Sequence, residues 1–173
     1  MRGQTTLDFA TGTVIFLLSL IFVFSFIPGV LQPFTGTQQA EPVVANRVAD
    51  RLVEGGLGSP DRPYTLDKTC TVEFFDDSAP SDCNYEGSDL NDRVGLTDRT
   101  NLNITMFANV TGDRAQERVC WDDSAGVLRQ TGATGCDVTM TIGSVRSDAS
   151  SSVTAQRVAY LNGTAVTVEV ETW

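Results

Sequence analysis

The sequence predicts an α+β protein: a single N-terminal transmembrane helix followed by a β-rich, disulfide-containing extracellular head domain. Three observations predict it. No charged residue occurs from Phe9 through Phe34, a stretch dominated by large apolar side chains. Beyond it, short runs of alternating apolar and polar residues recur and end in a hairpin pattern. All four cysteines, Cys70, Cys83, Cys120 and Cys136, lie after the apolar stretch.

The apolar stretch is long enough to cross a membrane. Val14 to Pro28 is almost wholly Val, Ile, Phe and Leu, and Leu7 to Thr13 and Gly29 to Phe34 extend it. About 20 residues rising about 1.5 Å each span a hydrocarbon core of about 30 Å. A helix is the form that satisfies its own backbone polar groups in lipid. A cleaved secretory signal has a shorter apolar region, about 7–15 residues, that ends in small residues. Pro28-Gly29-Val30 followed by Leu31-Gln32-Pro33-Phe34 fits that poorly, so the helix is read as retained. Arg2 is the only basic residue before Arg47. The positive-inside tendency therefore places the residues before the helix in the cytoplasm and the rest of the chain outside.

The residues ahead of the helix are Arg2-Gly3-Gln4-Thr5-Thr6-Leu7-Asp8-Phe9. This segment resembles the N-terminus of an archaeal type IV prepilin with a class III signal sequence, of the euryarchaeal kind with Gln after the cut. The resemblance implies that a prepilin peptidase cuts between Gly3 and Gln4, ahead of the helix. Gln4 then becomes the first mature residue. Asp8 becomes the fifth, where the family places Glu or Asp. A carboxylate at the edge of a long apolar helix is costly in lipid without a partner. The resemblance implies that Asp8 pairs with the new amine of a neighbouring subunit. Thr5 and Asp8 also fit a capping box, with the acid in the first turn suiting the helix dipole. The resemblance covers the leader and the apolar helix and none of the head. With the reading of the outer chain below, the sequence divides into a leader at 1–3, a transmembrane or filament-core helix at 4–34, a hinge and amphipathic helix at 35–56, and a head at 57–173.

Composition narrows the function classes. The net charge is −10 and the pI near 4.3. Of 12 basic residues only Lys68 is lysine, and 15 of 22 acids are Asp. Such a chain repels phosphates, so nucleic acid is not an expected partner. The Asp-rich, Lys-poor balance resembles that of haloarchaeal proteins, in which salt screens self-repulsion; an ordinary acidic extracellular domain is the plainer reading. There is no histidine, which excludes serine–histidine and cysteine–histidine catalysis. No constellation supports an enzyme. About 137 residues follow Gly36, enough for one domain with its own core.

Thr35 to Ala40 reads as a polar hinge, with Pro28 to Pro33 breaking the first helix. Pro42 suits a first helical turn. Val43, Val44, Val48, Leu52 and Val53 then recur at helical spacing, with Arg47, Asp50, Arg51 and Glu54 between them, until Gly55-Gly56 ends the run. The resemblance makes this a candidate for the amphipathic half of a pilin helix; a juxtamembrane helix is the alternative. Gly55 to Pro63 is a linker. Tyr64 to Phe75 is read as holding a strand, and Asp76 to Asp92 as an acidic loop. Leu102, Ile104 and Met106 alternate with Asn103 and Thr105, a strand pattern, and Val138, Met140 and Ile142 alternate with Thr139 and Thr141. Val153 to Leu161, Asn162-Gly163 and Thr164 to Trp173 predict a β-hairpin on a type I′ turn. Val166, Val168 and Val170 should face one side, and Thr167, Glu169 and Glu171 the other.

Four cysteines on the outer side favour disulfides. Three connectivities are open. The preferred one is Cys70–Cys83 with Cys120–Cys136, since each pair closes a local, turn-rich acidic loop. A four-cysteine zinc site would need C-x-x-C spacing, which is missing. Asp76-Asp77 and Asp122-Asp123 lack the regular ligand spacing of a calcium loop. No metal or cofactor is expected. Asn103-Ile104-Thr105, Asn109-Val110-Thr111 and Asn162-Gly163-Thr164 match the N-glycosylation pattern. Asn109 is the best candidate, because the hairpin turn already uses Asn162.

The expected function is that of a structural subunit, a major or minor pilin of an archaeal surface filament. Its expected partners are the membrane, a prepilin peptidase, and copies of itself or other pilins. The alternative is a non-assembling, membrane-anchored surface or binding domain.

Overall fold

A computed structural model describes residues 4–35, 40–58, 60–78, 82–97, 100–146 and 151–173. The chain divides into two compact units, Met1–Gln39 and Ala40–Trp173. The fold is α+β: one long apolar helix and a β-rich head with two disulfides.

The first unit is one helix, α1, Gln4–Thr35. It includes Pro28 and Pro33 and runs past the break expected there. Proline removes a ladder bond, but membrane-length helices tolerate it, because local adjustments and hydroxyl side chains re-satisfy the freed carbonyls. Since α1 is described from Gln4, Thr5 lies inside it and its first turn carries no acid. The capping-box reading of Thr5 with Asp8 falls on the Thr5 side chain, which lies outside the described residues. The hinge residues 36–39 lie outside the described residues.

The second unit opens with α2 (Ala40–Arg51), which widens into a π turn at Leu52–Gly56. The expected amphipathic helix is therefore present. It belongs to the head unit, so the compact head begins at Ala40, ahead of the boundary at residue 57 drawn from sequence. The strands and shorter helices follow in order: β1 (Thr65–Leu66), α3 (Lys68–Phe75), α4 (Leu90–Arg93), β2 (Leu102–Ala108), β3 (Glu117–Asp122), β4 (Val127–Gln130), β5 (Val138–Thr139), β6 (Thr141–Gly143), β7 (Val153–Leu161) and β8 (Thr164–Thr172). The main sheet runs β1-β7-β8-β2-β3-β4, with β5 paired to β3 and β6 to β2. Every pairing is antiparallel except the short parallel match of β1 with β7.

Two sequence expectations change. Tyr64 to Phe75 contains only a two-residue strand, and the rest is α3. The reason is local: the Asp67 side chain accepts the Cys70 N–H at 2.9 Å and caps the helix. Thr71, Phe74 and Phe75 then fall on one buried face at helical spacing. The alternating run at Val138 to Ile142 is two strands with different partners. Met140 N–H donates to Val119 O at 3.1 Å, and Met140 O accepts from Met106 N–H at 2.9 Å. The run thus fills the gap where β2 and β3 part, since those strands pair only at Phe107–Ala108 with Glu117–Arg118.

The terminal hairpin forms as expected. Asn162 and Gly163 both have positive φ, 49° and 82°, as a type I′ turn requires. Val166, Val168 and Val170 are buried, while Thr167, Glu169 and Glu171 are half-exposed on the other face. Helix α2 packs across β7 and β8. Its Ala45, Val48 and Ala49, with Leu52 and Val53, join Ala155, Ala159 and the β8 valines in one core. Alanines on both α2 and β7 let the helix backbone approach the sheet closely, and each fully buried valine stabilises the fold by about 1.5–3 kcal/mol. Phe74 packs edge-to-face on Tyr85, with ring centroids 5.3 Å apart. Gly58 is required where it stands: a Cβ there would collide with the Thr65 carbonyl oxygen across the isolated Gly58–Leu66 bridge.

Candidate functional site

The apolar helix is the first candidate. Its large side chains from Leu7 to Phe26 are exposed apart from the half-exposed Leu20, and they include the consecutive run Val14 to Leu18. At 100° per residue that run alone covers every face. A helix that is apolar all round requires an apolar surrounding. Four hydroxyl side chains are turned back on their own backbone. Thr11 Oγ1 donates to Leu7 O, Thr13 Oγ1 to Phe9 O and Ser19 Oγ to Ile15 O, each at 2.9 Å, and Ser25 Oγ donates to Phe22 O at 2.7 Å. Each hydroxyl thus enters an apolar medium already satisfied. Leu7–Phe26 is long and apolar enough to cross a membrane. Asp8 stands exposed near the start of this span. Gly3 lies outside the described residues, as does the Gln4 side chain.

In the head, all four cysteines are paired, Cys70 with Cys83 and Cys120 with Cys136, at Cα separations of 5.6 and 5.5 Å. The preferred connectivity is the one found. The first bridge ties α3 to the loop before α4. Beneath it Tyr85 is buried and donates its hydroxyl to Cys70 O at 3.1 Å. Burial, helped by the Glu73 carboxylate and opposed by Arg93, pushes the Tyr85 phenol up to about 12. The second bridge tethers β3 to the segment leading into β5.

The paired acids serve as structural anchors. Asp122 is buried and accepts from Ser124 Oγ at 2.6 Å, from Ala125 N–H at 2.8 Å and from Arg129 Nε. These bonds, the Ser124 hydroxyl foremost, hold its carboxyl down to about 2. Asp77 meets the buried guanidinium of Arg93, with Oδ1 2.9 Å from Nη1; that nitrogen makes no well-aligned hydrogen bond. Nε and Nη2 of Arg93 donate to the carbonyls of Gly87 and Asp77 at 3.3 and 3.4 Å. Sequence reading missed both arginines. Each sits in a four-residue element, Arg93 at the end of α4 and Arg129 in β4, too short to carry a period that would point to it.

The three sequons lie in different settings. Asn103 is on β2, which pairs with β8 on one side and β6 on the other. Asn109 follows β2, and Asn162 forms the β7–β8 turn. Asn109 and Asn162 together line a cleft of about 230 Å³ with Trp121, Leu128 and Thr164.

These features define a membrane-length apolar helix joined to a disulfide-bonded α+β head. The chain belongs to a family of unknown function (DUF7287), whose profile matches residues 1–173. No curated protein and no solved structure matches it.

Proposed function

We propose that this chain is a structural subunit of an archaeal type IV pilus-like surface filament, held in the membrane by α1 before assembly. One observation carries the reading: α1 is exposed and apolar on every face, with its hydroxyls bonded back to its own carbonyls. Such a helix needs an apolar surrounding, which either lipid or packed copies of itself would supply. Subunits related by one repeated, non-closing contact would bury their helices together and grow a filament. The leader Arg2-Gly3 with Gln4 and Asp8 supports cutting by a prepilin peptidase after Gly3. The head would lie outside the cell, where disulfides persist.

The test is the mature N-terminus, read by mass spectrometry on the chain from its native cells. A start at Gln4, cyclised or free, together with filaments in sheared surface material by electron microscopy, supports the proposal. A start at Met1 or Arg2 without filaments overturns it and leaves a permanently anchored surface head.

A further inference from the structure

We infer that Asn109 is the one sequon of the head that carries an N-linked glycan. The inference rests on the outward placement of the head proposed above and on the geometry of the three asparagines. A glycan joins at Nδ2, so that nitrogen must be able to leave its hydrogen-bond partner and the chain must have room for a bulky group.

Asn103 fails the first condition. Its Nδ2 donates to Ser144 O at 3.2 Å, and its Oδ1 accepts from the sequon's own Thr105 hydroxyl at 2.9 Å. It sits in a strand paired on both edges, and Thr105 is buried. Asn162 fails differently. Its Nδ2 donates to Gly126 O at 3.0 Å, which ties the β7–β8 turn to the β3–β4 turn. Its φ of 49° is fixed by the two-residue turn.

Asn109 meets both conditions. Its Oδ1 accepts the Gly112 N–H at 2.8 Å. That bond orients the amide and leaves Nδ2 without a partner among the described residues. Thr111, the third residue of the sequon, is exposed in the same loop, so its hydroxyl is open to a transferase. Residues 111–116, which follow Asn109, are all exposed, so the loop leaves room for a bulky group. The donor class is an oligosaccharide linked to a lipid phosphate. The bond from the sugar C1 to the phosphate oxygen breaks, the bond from C1 to Nδ2 forms, the lipid phosphate leaves with the electron pair, and one amide proton passes to a base of the transferase.

The experiment is glycopeptide mass spectrometry on the full chain from the surface of its native cells, after protease treatment of intact cells has confirmed that the head is outside. Asn109→Gln and Thr111→Ala are compared with Asn103→Gln and Asn162→Gln. The expected result is sugar mass on the Asn109 peptide alone, lost in both Asn109→Gln and Thr111→Ala. Thr111→Ala keeps the Asn109–Gly112 bond, so its loss of sugar cannot come from a broken loop. An unmodified Asn109 peptide on an externally exposed head overturns the inference and leaves the filament reading standing. Sugar on Asn103 or Asn162 overturns it as well. A head shielded from protease on intact cells overturns the outward placement, and with it both readings.

Discussion

Arg157 on β7 and Asp50 on α2 are 107 residues apart in sequence and form one ion pair, Nε to Oδ1. Arg157 Nη2 also donates to Asn46 Oδ1 at 3.0 Å, and Nη1 donates to Gln156 O at 2.9 Å. The Asp50 hydrogen bond raises the Arg157 pKa further. One guanidinium thus fastens the first helix of the head to its hairpin. Asp50 is 41% exposed, so water screens the pair. Arg157→Met keeps the stem and removes the fork. It should lower stability by about 1 kcal/mol at low salt and by less at high salt. Urea unfolding of the full chain in detergent at two salt concentrations measures this, and equal midpoints for variant and wild type at low salt would refute it.

The two disulfides close loops of 13 and 16 residues. Cross-linking loops of that size restricts the unfolded chain and is worth about 3 kcal/mol each. Cys70→Ala with Cys83→Ala, and Cys120→Ala with Cys136→Ala, should each lower the thermal midpoint clearly. The second pair should lower it more, because Cys120 is fully buried in β3 and its removal also leaves a cavity. A melt unchanged by either double substitution would show that the bridges do not hold the head together.

Where the sequence was legible, one residue's chemistry decided the local structure. Asn162-Gly163 set the turn, and the Val166, Val168, Val170 alternation set the buried face of β8. Local spacing likewise favoured the cysteine pairing that is found. The misreadings came where two periodicities compete. Residues 68–75 have β-prone residue types, yet one side chain at Asp67 caps a helix and puts Phe74 and Phe75 on its buried face. The Val138 to Ile142 run is a correct alternation, but a change of partner at Met140 depends on where β2 and β3 diverge, which is a tertiary fact. The Arg157–Asp50 and Arg93–Asp77 contacts join distant or irregular segments, and nothing local points to them.

Asp122 predicts an acid response. In the unfolded chain its carboxyl titrates near the ordinary value of about 3.9; in the folded head it is held to about 2. Between these values the unfolded state binds the proton and the folded state does not, so stability falls as pH falls. The contribution is complete above about pH 4 and is lost as pH drops through about 2. Asp122→Asn should therefore be less stable than wild type at neutral pH, with the gap closing across that window. Urea midpoints for both proteins, taken from pH 7 to pH 2, measure the gap. A gap of constant size would assign Asp122 a packing role independent of its charge.

Asp8 offers the sharpest separation of the two functional readings. It is the only charged residue described in α1, and it stands at the second position of the Leu7–Phe26 span, which is long and apolar enough to cross a membrane. A lone carboxylate there is costly unless something cationic meets it. If a neighbour's newly cut amine is that partner, Asp8→Ala should leave cleavage after Gly3 intact, because the peptidase acts before any neighbour is present. Filament yield should then fall sharply, with cut subunits accumulating in the membrane. Asp8→Glu keeps the charge and should restore most of the yield. Quantifying cut and uncut chain by mass spectrometry, beside filament recovered by shearing, separates processing from assembly. Normal filament yield from cut Asp8→Ala subunits would remove the intersubunit role from Asp8.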